Sequence, residues 1–375
     1  MLVPIYREAR IVPALMERLK RLDYPRAKLD IKIIVEIDDL QTQNALARET
    51  LPPFFDIIVC PSGIPRTKPR ALNIGLAYAK GDYIVVYDAE DEPDPDQLRK
   101  AAATFASGDR KLGCVQARLA IDNAADGWIA RMFALEYAGL FDGLLPGMSV
   151  TRQPIPLGGT SNHFRRTLLH TCLGWDAWNV TEDADLGLRL AGLGYHCVVM
   201  DSTTWEEAPV DWLAWYNQRT RWLKGWIQTA FVVARNGHRW RQSVSALKRL
   251  EISVISTSSV VSALFHPLVL VILGALLAPP TDSVFRSSVH LTLWSFITVV
   301  FVASSALSLA ILVVGARHRG LTLRVRDSVG LLLYSLMKTV AAWRALFEFA
   351  VAPTHWHKTE HGLARRSRHQ PTPPR

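Results

Sequence analysis

The sequence predicts an α/β fold with a mostly parallel sheet, followed by apolar helices. Strand and helix patterns alternate over residues 1–120, which is typical of a sheet covered by helices on both faces. Acidic residues follow the ends of two of these strands, where ligands bind in open α/β sheets. Hydrophobic residues make up 49% of the 375 residues, and the excess is concentrated after residue 250. The chain is therefore long enough for one large domain and a second, apolar region.

The first elements alternate in type along the chain. Each predicted strand is short, apolar and bounded by turn residues. These strands cover Leu2–Tyr6, Asp30–Ile37, Phe55–Cys60 and Tyr83–Tyr87. The predicted helices between them cover Ile11–Leu22, Gln41–Thr50 and Lys68–Lys80. In the first helix apolar residues recur at helical spacing, and a proline leads in the third.

A cluster of carboxylates directly follows the last of these strands. It contains Asp88, Glu90, Asp91 and Glu92. Several carboxylates at one strand end are unfavourable unless a positive charge lies among them. A divalent cation meets this need, and oxygen ligands favour Mg²⁺ or Mn²⁺, which bridge protein carboxylates to a diphosphate. The alternative is an acidic, solvated turn.

Asp38 and Asp39 form a second acidic strand end, and the basic segment Arg66–Arg70 lies between the two acidic ends in sequence. By itself, such a segment is more often a solvated loop. Between two acidic strand ends it becomes a candidate clamp for a diphosphate. A donor that carries a nucleoside diphosphate requires this combination of acids and cations.

Two later segments add candidate binding and catalytic residues. Gly158–Arg166 contains glycines and small hydroxyls that allow a ligand to approach the backbone closely, although a simple turn has the same composition. Thr181–Asp185 opens a predicted helix, with Thr181 as the N-cap and acids that suit the helix dipole. These helix-start effects account for Glu182 or Asp185 but do not require both of them together with Asp183. One of these acids is therefore a candidate general base.

An aromatic-rich helix from about Asp211 carries the last candidate motif, Gln218-x-x-Arg221-Trp222. Its Trp and Tyr residues at positions 212, 215, 216, 222 and 226 suit a membrane–water boundary. Trp222 could also stack on a sugar ring. A packed core tryptophan is the alternative for any single one of them.

With these motifs in order, the chain resembles the inverting family 2 glycosyltransferases, and in particular processive membrane polysaccharide synthases such as bacterial cellulose synthase. The likeness extends from Val3 to about Gly225. It depends on Asp39, on Asp88-Ala89-Glu90 as a version of the DxD motif, on Thr181-Glu182-Asp183 and on Gln218-x-x-Arg221-Trp222. The resemblance implies a GT-A domain that binds a nucleotide sugar, expected to be a UDP-hexose.

The resemblance also implies a role for each motif residue. The nucleoside would be held by Tyr6, Glu8 and Asp39, and the nucleotide diphosphate by Lys68. The metal, Mg²⁺ or Mn²⁺, would be held by Asp88 with Glu90 or Asp91, because the third motif position is Glu rather than Asp. Asp183 would take the proton from the acceptor hydroxyl. The acceptor and diphosphate end would be lined by Glu182, Gln218, Arg221, Trp222 and Trp356.

Two long stretches without Asp, Glu, Lys or Arg, Ile252–Ala278 and Val289–Val314, predict transmembrane helices. Loop 315–328 carries four arginines and is expected on the cytoplasmic side, together with the enzyme domain. A third apolar stretch, Val329–Ala352, contains three charged residues. It is predicted to lie along the inner face, because crossing would place the basic tail outside.

The predicted domain organisation combines these parts. Residues 1–235 form the GT-A domain, with interface helices near 128–148 and 211–230, and residues 236–251 form a linker. Two transmembrane helices lie within 252–314, and a basic cytoplasmic loop and interface helix within 315–352. Residues 353–375 contain a segment that, by resemblance, closes over the active site, followed by a disordered tail.

The composition of the chain indicates which partners, which cysteine chemistry and which location to expect. The formal net charge of +9 suits an anionic membrane face or substrate, and nucleic acid is not expected because no binding motif accompanies the charge. The four scattered cysteines contain no CxxC pair and predict reduced thiols rather than disulfides or a zinc site. No cleavable signal peptide is expected, since Met1 directly precedes an apolar strand. The expected location is the bacterial inner membrane, with several crossings and a cytoplasmic catalytic domain.

The predicted function is a metal-dependent, inverting transfer of a hexose from a nucleotide sugar to a growing β-linked polysaccharide. One alternative is a non-processive transferase that adds single sugars to a lipid or short glycan acceptor. Another is a catalytically silent membrane assembly subunit. The expected partners are the donor, the glycan acceptor and membrane lipids. Because two crossing helices are too few to enclose a polymer channel, self-association or further subunits are also expected.

Overall fold

A computed structural model describes residues 1–268 and 288–352, together with positions 271 and 274. The strands are β1 (Leu2–Ile5), β2 (Ile31–Glu36), β3 (Phe55–Cys60), β4 (Tyr83–Val86), β5 (Glu92–Pro93), β6 (Leu112–Ile121), β7 (Asn162–Arg165) and β8 (His196–Glu206). The helices up to β8 are α1 (Val12–Arg21), α2 (Leu40–Ala47), α3 (Lys68–Tyr78), α4 (Gln97–Ser107), α5 (Trp128–Tyr137), α6 (Leu145–Val150), α7 (Arg166–Thr171) and α8 (Glu182–Gly192). After β8 come α9 (Trp212–Asn236), α10 (Ala246–Phe265), α11 (Ser288–His318) and α12 (Val325–Val351). Short 3₁₀ helices cover Arg26–Lys28 and Arg239–Gln242, and a π-helix covers Ala138–Leu144.

The strands form one eight-stranded sheet in the order β3-β2-β1-β4-β7-β6-β8-β5. Strands β1 to β4 pair in parallel, as do β6 and β8. The short strand β7 is antiparallel to both of its neighbours, β4 and β6, and β5 is antiparallel to β8. The predicted α/β fold with a mostly parallel sheet is confirmed, and β7 supplies the reversal of direction in its middle.

Helices cover both faces of the central strands, which are rich in apolar residues for that reason. Every residue of β2 is buried. Ile33 packs with Leu15 of α1 on one face, and Ile34 packs with Leu72 of α3 on the other. Successive residues of a strand point to opposite faces, so the apolar residues of β2 supply both cores.

The last helices pack beside the sheet and against one another. Helices α10 and α12 both contact α9, and α11 packs along the π-helix. Gly315 of α11 permits this close crossing, because a Cβ there would overlap the carbonyl oxygen of Ala138. The segment predicted as a linker, 236–251, contains Trp240, which is buried beside Leu188 and Ile252.

Two helices in the described part of the chain are long and apolar enough to cross a membrane. Ser295–His318 has a mean hydropathy of 2.6 over its most apolar window, and none of that window is buried. Val325–Val351 has a mean hydropathy of 1.2, and 33% of its window is buried. The predicted span Val289–Val314 falls in α11. The predicted span Ile252–Ala278 begins in α10, and its remainder falls largely outside the described residues.

Candidate active site

A cavity of about 1020 Å³ lies at the carboxyl ends of β1, β2 and β4. It extends from these strand ends to the helices after β8. The predicted site residues that line it are Tyr6, Glu8, Lys68, Asp88, Glu90, Glu182, Asp183, Gln218, Arg221 and Trp222. Residues more than 200 positions apart in sequence are thereby brought to one cavity, which combines acids, cations and aromatic rings.

Lys68 connects three parts of the cavity wall. Its Nζ lies 2.5 Å from Oδ1 of Asp88 and donates a hydrogen bond of 2.6 Å to the carbonyl oxygen of Gly159. Burial lowers the pKa of Lys68, but the carboxylates of Asp88, Asp183 and Glu182 outweigh it, so the net shift is upward. Lys68 is therefore a fixed positive charge beside the acidic residues.

The three candidate metal ligands after β4 have different surroundings. Asp88 and Glu90 line the cavity, whereas Asp91 is 2% exposed and does not line it. Oδ2 of Asp91 accepts a hydrogen bond of 2.7 Å from the backbone N–H of Asp88 and another from the hydroxyl of Thr160. Arg18 donates to the carbonyl oxygen of Glu90 over 2.8 Å and supports the same turn. Asp91 thus stabilises the loop that presents Asp88 and Glu90.

Asp39 also has a local structural role. It occupies the N-cap of α2, where its side chain accepts a hydrogen bond of 3.2 Å from the N–H of Thr42 and another from the N–H of Arg7. Asp39 does not line the cavity. Through Arg7 it fixes the loop that carries Tyr6 and Glu8, which do line it.

Asp183 lies in the first turn of α8 and lines the cavity, with its Oδ2 3.6 Å from a Cβ built on Gly159. Burial raises its pKa well above the usual range of aspartate, and the neighbouring charge of Glu182 adds to the shift. Thr181 occupies the N-cap, as predicted, but its side chain makes no capping bond. Its hydroxyl donates to Oδ1 of Asn179 instead, over 3.3 Å.

The motif helix α9 packs directly against the start of α8. Gly225 makes this approach possible: a Cβ there would lie 2.5 Å from Oγ1 and 2.8 Å from N of Thr181. The packing places Gln218, Arg221 and Trp222 on the wall that also carries Asp183. Burial lowers the pKa of Arg221, and the surrounding carboxylates oppose that shift.

The acidic wall fits a divalent cation in its chemistry. Asp88 and Glu90 offer oxygen ligands to one cavity, and burial raises the pKa of Asp88 even beside Lys68. A cation would relieve this crowding of carboxylates. Among the described residues, however, no group of three or more His, Cys, Asp or Glu is arranged to hold a metal by protein ligands alone. The donor set therefore suits a cation that also takes ligands from a diphosphate.

Sequence reasoning missed several charged residues of the cavity. Glu136 of α5, Arg219 of α9 and Lys338 of α12 all line its far end. Arg219 stands at an unassigned position of the Gln218-x-x-Arg221-Trp222 motif, and Glu136 is the lone acid of α5. Both features can be seen in the sequence, but neither one predicts which residue Arg219 or Glu136 contacts. The predicted acceptor residue Trp356 and its closing segment, 353–362, lie outside the described residues.

Several known proteins are similar to this chain in sequence or in fold. The model of Glycosyl transferase family group 2 matches residues 83–317. "Probable glycosyltransferase YdaM" from Bacillus subtilis is 28% identical over 228 residues, covering 60% of this chain and 54% of that protein. "Beta-monoglucosyldiacylglycerol synthase" from Synechocystis is 28% identical over 235 residues, covering 61% of this chain and 47% of that protein. The chain thus spans about half the length of these curated relatives.

A solved structure has the same fold. It is the mannosyltransferase PcManGT from Pyrobaculum calidifontis, in complex with GDP-Man and Mn²⁺. The likeness covers 84% of each chain with a TM-score of 0.55 and 20% sequence identity. Together with the family match, it confirms the GT-A fold that the sequence predicts.

Proposed function

Because the chain belongs to Glycosyl transferase family group 2, we propose that it moves a hexose from a nucleotide sugar to an acceptor hydroxyl with inversion of configuration. One observation carries this proposal. Asp88, Glu90 and Asp183 share a single cavity with Lys68 and Arg221, at the carboxyl ends of parallel strands. This arrangement offers a base for the acceptor and charges for the departing diphosphate.

Asp183 is the proposed general base. Its carboxylate takes the proton from the acceptor hydroxyl while that oxygen attacks the anomeric carbon from the face opposite the leaving nucleotide. Since no covalent glycosyl-enzyme forms, one base is sufficient, unlike the carboxylate pair of retaining glycosidases. The raised pKa of Asp183 makes it a stronger base than an exposed aspartate.

The donor is held at the nucleotide side of the cavity. Tyr6 and Glu8 contact the nucleoside, Asp39 fixes their loop, and Lys68 neutralises diphosphate oxygens. Asp88 and Glu90 would hold Mg²⁺ or Mn²⁺, which supplies positive charge to the diphosphate when bound. We infer a UDP-hexose as the donor.

The acceptor lies at the end formed by Gln218, Arg221 and Trp222, with Glu182 beside the base. The Gln218-x-x-Arg221-Trp222 motif favours a growing β-linked polysaccharide, since the tryptophan face suits a sugar ring. In that case the acceptor end of the cavity would hold the terminus of the polysaccharide between successive additions. A glycan that leaves through the membrane would also require self-association or further subunits.

A second candidate acceptor is a lipid that carries one free hydroxyl. Apolar side chains dominate the cavity beyond Trp222, among them Phe141, Leu144 and Leu145. Ser258 and Ser308 of the apolar helices α10 and α11 extend this wall. A relative is named for the synthesis of a glucosyl diacylglycerol, which is consistent with such an acceptor.

The apolar helices anchor the enzyme at a membrane. The exposed apolar surface of α11 supports a crossing helix, and α10 would cross in the opposite direction. Helix α12 is partly buried and carries charged residues, which favours a position along the inner face. The catalytic domain would then face the cytoplasm, where nucleotide sugars are made.

The test is release of nucleoside diphosphate by the detergent-solubilised protein. UDP-glucose, UDP-galactose, UDP-N-acetylglucosamine and GDP-mannose would be compared with Mg²⁺, with Mn²⁺ and with chelator. Release with one donor that is lost in Asp183→Asn supports the transferase, and sizing the product separates polymer from single addition. A wild type that consumes none of these donors would contradict the proposed donor class.

A further inference from the structure

Arg219 is buried among four aromatic rings at the acceptor end of the cavity. Its guanidinium carbon lies 4.6 Å from the ring centre of Phe133 and 4.8 Å from that of Trp222. The rings of Tyr334 and Trp215 lie at 5.7 and 5.8 Å. We call these four rings the Arg219 cage. Cations are attracted to aromatic faces at such distances, and more strongly where water is excluded.

Glu136 neutralises the cation inside this cage. It accepts two hydrogen bonds from the guanidinium of Arg219, one of them 3.1 Å long. The hydroxyl of Tyr334 donates to Glu136 over 3.0 Å, and Nζ of Lys338 donates to it over 3.3 Å. Burial raises the pKa of Glu136, but Arg219 and Lys338 outweigh it and lower that pKa to about 2. Glu136 is therefore ionised at neutral pH and pairs with two cations, Arg219 and Lys338.

The cluster joins three helices at one place. Glu136 and Phe133 belong to α5, Arg219 and Trp222 to α9, and Tyr334 and Lys338 to α12. The hydroxyl of Tyr334 also accepts a hydrogen bond of 2.9 Å from the indole N–H of Trp215. Glu136, Arg219, Trp222 and Lys338 line the cavity itself. The network therefore borders the acceptor and is not confined to the interior.

We propose that Glu136, with Tyr334 and Lys338, is a positioning residue that holds Arg219 against the face of Trp222 and so fixes the indole at the acceptor end. This inference deepens the proposed function, on which its kinetic consequence rests. Asp88 and Lys68, on the donor side, pair instead with each other. Loss of the network should impair use of the acceptor and spare the donor.

The first experiment reports on Trp222 without requiring activity. The full-length protein in detergent is labelled with 5-fluorotryptophan, and the Trp222 resonance is assigned by its loss in Trp222→Phe. In Glu136→Gln the Trp222 resonance is expected to shift or broaden, because Arg219 loses its bidentate partner. Tyr334→Phe removes one hydroxyl and should give a smaller change in the same resonance. An unchanged Trp222 resonance in folded Glu136→Gln would overturn the proposal.

The second experiment separates acceptor use from donor use. Donor hydrolysis by water is compared with sugar transfer to n-octyl-β-D-glucoside, a probe that joins sugar hydroxyls to an apolar chain. In Glu136→Gln the KM for this probe should rise about tenfold or more, with the donor KM and hydrolysis rate within about twofold of wild type. Glu136→Asp should recover part of the loss. Equal losses in transfer and hydrolysis would show a merely structural role.

Glu251→Gln is the matched control for these variants. Glu251 also pairs with a cation, Lys248, at 2.6 Å, and does not line the cavity. This substitution should leave the Trp222 resonance and both KM values unchanged. If the wild type consumes no donor, the proposed function fails while the fluorine measurement still decides the positioning role.

Discussion

Asp183 and Glu182 are neighbours in sequence, and burial together with the charge of Glu182 sets the protonation of the proposed base. Burial is the largest cause of the raised pKa of Asp183, and Glu182 is the next. A base must be deprotonated to act, so activity is lost as pH falls through this raised pKa. The acidic limb of kcat/KM should therefore lie above the usual range of aspartate.

A single substitution tests this electrostatic argument. Glu182→Gln removes the neighbouring negative charge, so the pKa of Asp183 should fall and the acidic limb should move to lower pH. Asp183→Asn should reduce transfer by about 10²- to 10⁴-fold at every pH. The measurement is kcat/KM for the donor over a range of about pH 4 to pH 9, which covers the acidic and basic limbs of the profile. A limb that stays in place in Glu182→Gln would assign it to another group.

Substitutions of Asp91 and Glu90, the two candidate metal ligands after Asp88, should have opposite effects. Burial raises the pKa of Asp91 well above that of a free aspartate, so its neutral form resembles asparagine in shape and in its acceptor oxygen. Asp91→Asn should keep the hydrogen bonds from Asp88 and Thr160, and with them the fold and the activity. Asp91→Ala should lower the free energy of unfolding by about 1–3 kcal/mol, because two buried donors lose their acceptor.

Glu90→Gln is the counterpart in the cavity wall. It should leave the free energy of unfolding within about 0.5 kcal/mol of wild type but raise the donor KM and the Mg²⁺ or Mn²⁺ concentration needed for half-maximal rate. Urea unfolding and donor kinetics measure the two effects. Loss of metal-dependent activity in Asp91→Asn, with Glu90→Gln unaffected, would reverse these roles.

At the scale of elements, the contact between α8 and α9 couples the base to the acceptor residues. A Cβ on Gly225 would overlap three atoms of Thr181, and one of them is backbone. Gly225→Ala should therefore displace the start of α8, which carries Asp183. A misplaced base loses rate steeply, so we expect a fall in kcat of about 10²-fold.

Gly147→Ala is the control for this substitution. Gly147 lies in α6, and no atom lies within 4 Å of a Cβ built there. Its kcat and melting temperature should match or exceed those of wild type, since alanine favours helix over glycine. If Gly225→Ala kept full kcat, the close packing of the two motifs would have no catalytic consequence.

The order of elements could be predicted because each strand and helix carries its own local pattern. Strand β3 begins and ends at the predicted residues, and β2 differs by one residue at each end. Strand β7 could not be predicted: its four residues follow a glycine pair and pair only with strands 40 or more residues away. The residues of the site likewise fall into those that the sequence could predict and those that it could not. Residues at strand ends, such as Asp88, follow from topology, whereas Glu136 acquires its meaning only when α9 and α12 pack on α5.

At the scale of the whole molecule, the apolar helices have two different relationships to the catalytic domain. Asp327 of α12 accepts two hydrogen bonds from Arg131 of α5, at 2.9 and 2.6 Å, and Glu348 lies 3.4 Å from Lys224 of α9. These bonds hold α12 against the domain. The apolar window of α11, by contrast, is entirely unburied. Helix α12 is therefore bound to the catalytic domain by ion pairs, whereas we predict that the exposed window of α11 faces lipid.

This difference predicts how single cysteines react in membrane vesicles. The four native cysteines are all buried, so they contribute little background labelling. Leu307 lies in the middle of α11 and is 63% exposed, Leu323 precedes α12, and Gln41 marks the catalytic domain. In vesicles with the cytoplasmic face outward, a membrane-impermeant maleimide should label Gln41→Cys and Leu323→Cys rapidly. Leu307→Cys should react only after detergent is added, because lipid covers that part of the helix.

Vesicles of the opposite orientation complete the test. None of the three cysteines should then react until the membrane is opened, if the chain crosses twice, as we propose, and so returns to the cytoplasmic side before Leu323. Labelling of Leu323→Cys but not Gln41→Cys in these vesicles would mean an odd number of crossings between the two positions. Rapid labelling of Leu307→Cys in either orientation without detergent would mean that α11 lies outside the bilayer. The active-site cavity opens beside α10 and α11, so the same result would also remove the membrane route for a lipid acceptor.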